Sequence, residues 1–146
     1  MGLLESVLHV APVMPVVVIE DAKHAVSLAR ALVAGGIPAI EITLRTRAAL
    51  DAVRAISSEV EGAIVGVGTV RRPQDLADAE AAGARFAVSP GSTPALIAAA
   101  KDSSLPWLPG AATASEAMHL SEQGFIFQKF FPAEAGGGAA ALRSLH

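Results

Sequence analysis

The chain has 146 residues, enough for one domain with a real core, and its 52% hydrophobic against 17% charged residues is too apolar for disorder. A formal net charge of −3 with both signs interspersed, one tryptophan and no tyrosine leave no footprint for nucleic acid. The lack of cysteine excludes disulfides, thiolate metal sites and cysteine nucleophiles, and the longest apolar runs are too short to span a membrane as a helix.

The opening "MGLLESVLHV" lacks the basic region of a secretion signal, so a cytoplasmic location is expected. Gly2 and Ser6 fit an N-acylation pattern, and a first amphipathic helix explains the same residues. "VMPVVVIE" (13–20) reads as a β-branched strand. In the helix that follows, Ala25, Val26, Ala29, Leu32 and Val33 recur at helical spacing before Gly35 and Gly36 end it. "AIEITL" (39–44) is a strand and "RAALDAVRAISSEV" the next helix; "AIVGVGTV" (63–70) is a third strand. Pro73 suits the first turn of a helix closed by Gly83. "RFAVSPG" (85–91) is a fourth strand, and Thr93 caps a helix that has Pro94 at its first position. "PWLPG" (106–110) is a fifth strand, and Thr113 or Ser115 caps "SEAMHLSEQG". "FIFQKFF" is the sixth strand, and "GGAAALRSLH" begins another helix.

Gly62, Gly83 and Gly124 precede strands at one and then two unit lengths, a period of about 20 to 25 residues that means a parallel sheet covered by helices. Polar residues close several different strands: Glu41, Thr69, Ser89 and Lys129. Barrels gather their chemistry from many strand ends, whereas open sheets use one switch point. The expected fold is therefore α/β, a (β/α)8 TIM barrel of which this chain holds the first six βα units, as a single domain over residues 1–146. A complete barrel takes about 200 residues or more, so truncation at the C-terminus is expected. "GVGTVR" has Arg71 where a dinucleotide loop needs its third glycine, and a nucleotide site is a poor reading.

Lys129 stands among four phenylalanines. Period-two alternation puts Phe125, Phe127, Lys129 and Phe131 on one strand face. Aromatic neighbours exclude water and lower an amine's pKa, which would make Lys129 a nucleophile towards a ketone. The alternative is a snorkelling stem with its charge held against the rings. In "EITLR" the same alternation groups Glu41, Thr43 and Arg45, so Glu41 would point into the barrel, as a proton shuttle or as the ion-pair partner of Arg45. A lysine and a carboxylate in one barrel mouth are the minimal kit for Schiff-base chemistry. His9, His24, His119 and His146 lack metal-ligand spacing and read as surface or packing residues. Ser89 lacks a G-x-S-x-G elbow, which argues against a serine hydrolase. "AEAGGG" reads as a mobile loop, with a phosphate-binding helix start as its alternative.

Together "VMPVVVIE", "ALVAGGIPAIEITLRT", "AIVGVGTV", "FAVSPG", "LPGAATASE" and "FQKFFPAEAGGGAAL" resemble the 2-keto-3-deoxy-6-phosphogluconate aldolase / 4-hydroxy-2-oxoglutarate aldolase family, from about residue 8 onward. The resemblance implies a trimeric (β/α)8 class I aldolase without metal or cofactor. Its reaction cleaves 2-keto-3-deoxy-6-phosphogluconate, a small 2-keto acid, to pyruvate and glyceraldehyde 3-phosphate. It implies Lys129 as the Schiff-base lysine and Glu41 as the proton shuttle. Arg45 and Thr69 would hold the pyruvate carboxylate, and Pro90, Gly91 and Phe131 would line the site. Alternatives are 4-hydroxy-2-oxoglutarate or 6-phosphogalactonate-type substrates, or a non-catalytic barrel that binds a keto acid or serves in assembly. The family continues through a "TGG" segment and two further units that complete its phosphate site, and these do not appear before His146.

Overall fold

A computed structural model describes residues 2–145, and the remark on His146 falls outside them. Helix α1 (Leu3–His9) opens the chain, followed by β1 (Val16–Val17), a 3-10 turn at Ala22–His24 and α2 (Ala25–Ala34). Then come β2 (Ala39–Thr43), α3 (Ala49–Glu59), β3 (Ile64–Gly68), α4 (Pro73–Ala81), β4 (Ala87–Val88) and α5 (Pro94–Asp102). Strands β5 (Trp107–Leu108) and β6 (Gly110–Ala111), α6 (Ala114–Glu122), β7 (Lys129–Phe130) and α7 (Gly138–Leu145) complete it. The strict strand–helix alternation is the α/β pattern expected from sequence.

Local chemistry accounts for the element ends. Thr93 accepts from the Leu96 N–H at 3.2 Å ahead of Pro94. At α6 it is Thr113, and not Ser115, that caps: its hydroxyl accepts from Glu116 N–H while the Glu116 carboxylate accepts from Thr113 N–H at 3.0 Å. Gly62, Gly83 and Gly124 keep their sequence period because each turns from helix to strand at positive φ (81°, 84° and 93°), which costs a residue with a Cβ about 1 kcal/mol. The Gly2 and Ser6 pattern is taken up by α1, where Glu5 accepts from the Gly2 N–H and the Ser6 hydroxyl donates to the Gly2 carbonyl.

All pairings are parallel, in the order β1-β2-β3-β4-β5 with β6-β7 beside it. The fifth strand read from sequence divides at Pro109, which has no N–H to give, and the Pro109 carbonyl accepts from Lys129 N–H at 2.8 Å. Register fixes the faces. Ala39, Glu41, Ile64, Gly66, Val88 and Leu108 share one side, and Ile40, Ile42, Val65, Val67, Ala87 and Trp107 the other.

The second set forms the main core against Val53, Ile56, Leu76, Leu96 and Leu120 of the helices. On the first side Ala39, Phe86 and Val88 pack with Val7, so α1 stoppers the space the strands surround. Phe86 is fully buried there, worth about 2 to 3 kcal/mol.

The sheet must curl to do this. Strands β2 and β7 are four steps apart, about 19 Å if the sheet were flat, yet side chains from the two meet across the concave face. That curvature is the barrel geometry expected.

Candidate active site

Glu41 lies at the middle of β2, flanked on both sides by paired strands, with its side chain on the concave face and 4% exposed. Lys129 begins β7, paired in register with Gly110, and is 24% exposed. Lys129 Nζ stands 3.5 Å from Glu41 Oε1 and 5.1 Å from the centre of the Phe131 ring. The lysine is therefore neither in bulk solvent nor remote from the carboxylate. Burial pushes the Glu41 carboxyl above its ordinary range, and the Lys129 charge and hydrogen bond, with a smaller pull from Arg45, only partly oppose it. A carboxylate made more basic by burial, against an amine at an open mouth, can move protons to and from whatever the amine attacks.

Pro90 and Gly91 belong to the same neighbourhood. A Cβ on Gly110 would stand 2.4 Å from the Pro90 carbonyl carbon and 2.7 Å from the Gly91 nitrogen, so this turn rests on the backbone beside Lys129. Thr69 follows β3 with φ of 63°, a left-handed conformation that a β-branched residue resists. It lines a cavity of about 230 Å³ with Thr46, Arg47 and Arg71, in which neither Glu41 nor Lys129 takes part. A larger cavity of about 800 Å³ lies on the helix side of β7 between Ser121 and Leu142, and only Lys129 of the expected site borders it.

Two expectations from alternation need correcting. The strand around Lys129 covers only Lys129–Phe130, and 125–128 is irregular. Phe125 consequently packs outward, edge-on to Trp107 at 5.1 Å, instead of sharing the face of Lys129, and Phe131 is the ring that meets the amine. Strand β2 ends at Thr43, so Arg45 sits exposed in the following turn, and Glu41 pairs with Lys129 in its place. Ser89 follows β4, the strand end read from sequence, but its side chain does not face the pair of Glu41 and Lys129. It is fully buried, its N–H donates to the Leu108 carbonyl at 3.1 Å, its hydroxyl has no hydrogen-bond partner, and it continues the outward face of Ala87.

Sequence reasoning also passed over Gly68, where a Cβ would stand 1.9 Å from Glu41 Oε1. Glycine inside a strand signals close approach, but the signal names no partner. Among the described residues no cluster of His, Asp or Glu has the arrangement of a metal site, and no helix is long and apolar enough to cross a membrane.

Comparison with known proteins shows the family and the fold of the chain. A family model described as KDPG and KHG aldolase matches residues 4–146. The KHG/KDPG aldolase of Escherichia coli (strain K12) is 52% identical over 141 residues, covering 97% of this chain and 66% of that protein. The 2-dehydro-3-deoxy-phosphogluconate aldolase of Dickeya dadantii (strain 3937) is 51% identical with the same coverage. The chain thus spans slightly less than two thirds of these relatives' length. Among solved structures, the 2-keto-3-deoxy-6-phosphogluconate aldolase of Zymomonas mobilis ZM4 with 3-phosphoglycerate superposes with a TM-score of 0.93 at 48% identity, over 97% of this chain and 67% of that one. The KDPG aldolase from Legionella pneumophila with pyruvate captured as a covalent carbinolamine intermediate has a TM-score of 0.93 at 43% identity, over 96% and 68%.

Proposed function

This chain belongs to the KDPG and KHG aldolase family, and from that premise we propose that it is a class I aldolase cleaving 2-keto-3-deoxy-6-phosphogluconate to pyruvate and glyceraldehyde 3-phosphate. The observation that carries the proposal is the 3.5 Å approach of Lys129 Nζ to Glu41 Oε1 at the barrel mouth.

The Lys129 amine adds to the C2 carbonyl, and loss of water leaves a protonated imine. The Glu41 carboxylate takes the C4 hydroxyl proton while the C3–C4 bond breaks. Its electrons pass to the imine, giving an enamine and releasing glyceraldehyde 3-phosphate. The Glu41 acid returns a proton to C3, and water hydrolyses the resulting imine to pyruvate and the free amine. Arg45 grips the substrate carboxylate with its planar fork, aided by Thr69. Pro90, Gly91 and Phe131 wall the site. The carbinolamine captured in the Legionella pneumophila structure supports this order of events.

The test is borohydride reduction in the presence of pyruvate. A stable adduct is expected on the peptide carrying Lys129, with aldehyde release from 2-keto-3-deoxy-6-phosphogluconate in a coupled assay. No adduct, or one on Lys23 or Lys101, overturns the proposal, as does pyruvate binding without turnover. Assembly as a homotrimer in the cytoplasm is part of the same reading, supported by the family resemblance; sedimentation at the mass of a single chain would remove the trimer.

A further inference from the structure

The two concave-face positions of β3 beside Glu41 are both glycines. In the parallel register Glu41 pairs with Gly66 and Thr43 with Gly68, so the Glu41 side chain runs along a stripe of bare backbone. A Cβ on Gly66 would stand 2.5 Å from three carbons of the Phe86 ring. A Cβ on Gly68 would stand 1.9, 2.6 and 2.7 Å from Oε1, Cδ and Cγ of Glu41. Carbon needs about 3.5 Å from such neighbours, so the ring and the carboxylate fill the places the two side chains would take.

Neither glycine has a positive φ, so backbone conformation does not call for glycine at either position. The backbone at Gly68 is also held: its carbonyl accepts from Leu44 N–H at 2.9 Å, and β2 and β3 are registered along their whole length. What must yield to a larger residue is the Glu41 side chain. Its Oε1, the atom most displaced, is also the one that faces Lys129 Nζ.

We propose that Gly68 is a positioning residue for Glu41: its missing side chain is the seat that holds Oε1 turned towards the Lys129 amine. The proposal rests on the role given to Glu41 above. Glu41 is long enough to lie in several rotamers, and a packed Phe86 below with bare backbone beside it leaves the one that meets the amine. The same contact removes water from one side of the carboxylate, in keeping with its raised pKa.

A double-mutant cycle tests this. Gly68→Ala is expected to lower Tm by about 5 °C or more, the scale of overpacking in a domain of this size. In a Glu41→Ala background all three clashing atoms are gone, and Gly68→Ala is expected to cost almost nothing. Equal losses in the two backgrounds, or none in either, overturn the proposal. Should Gly68→Ala alone not fold, a folded double variant supports the seat, and an unfolded one sinks it.

Two further readouts separate positioning from a merely structural role. Carbon NMR is expected to show the Glu41 carboxyl titration shifted in Gly68→Ala from that of the parent, because displacement changes both its burial and its distance from Lys129. Exchange of pyruvate methyl protons with solvent is expected to fall about a hundredfold, while borohydride still traps pyruvate on Lys129. An unchanged titration or an unchanged exchange rate argues against the seat. Failure to trap pyruvate in the parent chain would instead remove the aldolase reading and leave the cycle as it stands.

Discussion

Replacing Lys129 with methionine is expected to end trapping of pyruvate by borohydride and to lower turnover by about 10,000-fold or more, the scale lost when a covalent nucleophile is removed. Methionine keeps the unbranched stem, so the half-buried position against Phe131 stays filled, and the Tm loss expected at neutral pH comes from leaving the buried Glu41 carboxyl without its partner. Glu41 reports the change directly. The Lys129 charge and hydrogen bond are the main influences holding its carboxyl down, and without them burial is expected to push it further up. Lys101→Met is the matched control, since that amine is bound on the surface to Gln123 at 2.6 Å. Turnover in Lys129→Met within tenfold of the control would leave no place for an imine at this residue.

The two residues on which that result turns were legible for one reason: each sits inside a run where alternation is real. Glu41 lies in β2, a full five-residue strand, and its face follows from counting by two. The inward face of Lys129 was legible although most of its supposed strand is absent, because the alternation holds locally from Gln128, whose amide turns out to Ala117, through Lys129, turned in to Glu41. Carried back to Phe125 the same count fails, since Phe125 leaves the ladder to meet Trp107. It fails at Arg45 too, because β2 has already turned. Helix caps at Thr93 and Thr113 were readable because a cap is a contact within three residues.

What no local pattern encodes is curvature. That Glu41 meets Lys129, and that Gly68 makes room for the meeting, depends on how seven short strands bend together and on which residues the register sets side by side. A glycine in "GVGTV" says that something comes close; only the folded register says that it is Glu41.

Glu41→Gln is expected to separate catalysis from stability. Glutamine keeps the shape that lies against Gly68 but can neither take the C4 hydroxyl proton nor return one to C3, so turnover should fall by about a hundred- to ten-thousandfold. Trapping of pyruvate on Lys129 should persist, more slowly. Stability should move the other way.

The Glu41 carboxyl titrates higher in the folded chain than in the unfolded chain, where it ionises near about 4.3. The folded state therefore holds that proton more tightly. Its contribution is complete below the unfolded value and is lost as pH rises through the folded one. At neutral pH the parent carries a buried carboxylate that Lys129 compensates only in part, whereas the variant carries a neutral amide. Relative to the parent, Glu41→Gln should gain Tm between about pH 4 and pH 7 and show little of that gain at the acid end. The parent's turnover should fall on the acid side at a pH above that of an ordinary carboxylate, and this limb should be missing from the residual activity of the variant. Melting curves at a series of pH values check the first expectation, and a rate profile checks the second. A Tm difference that stays flat across that range would mean that burial does not raise the Glu41 carboxyl, and the base proposed for the reaction would lose its physical footing.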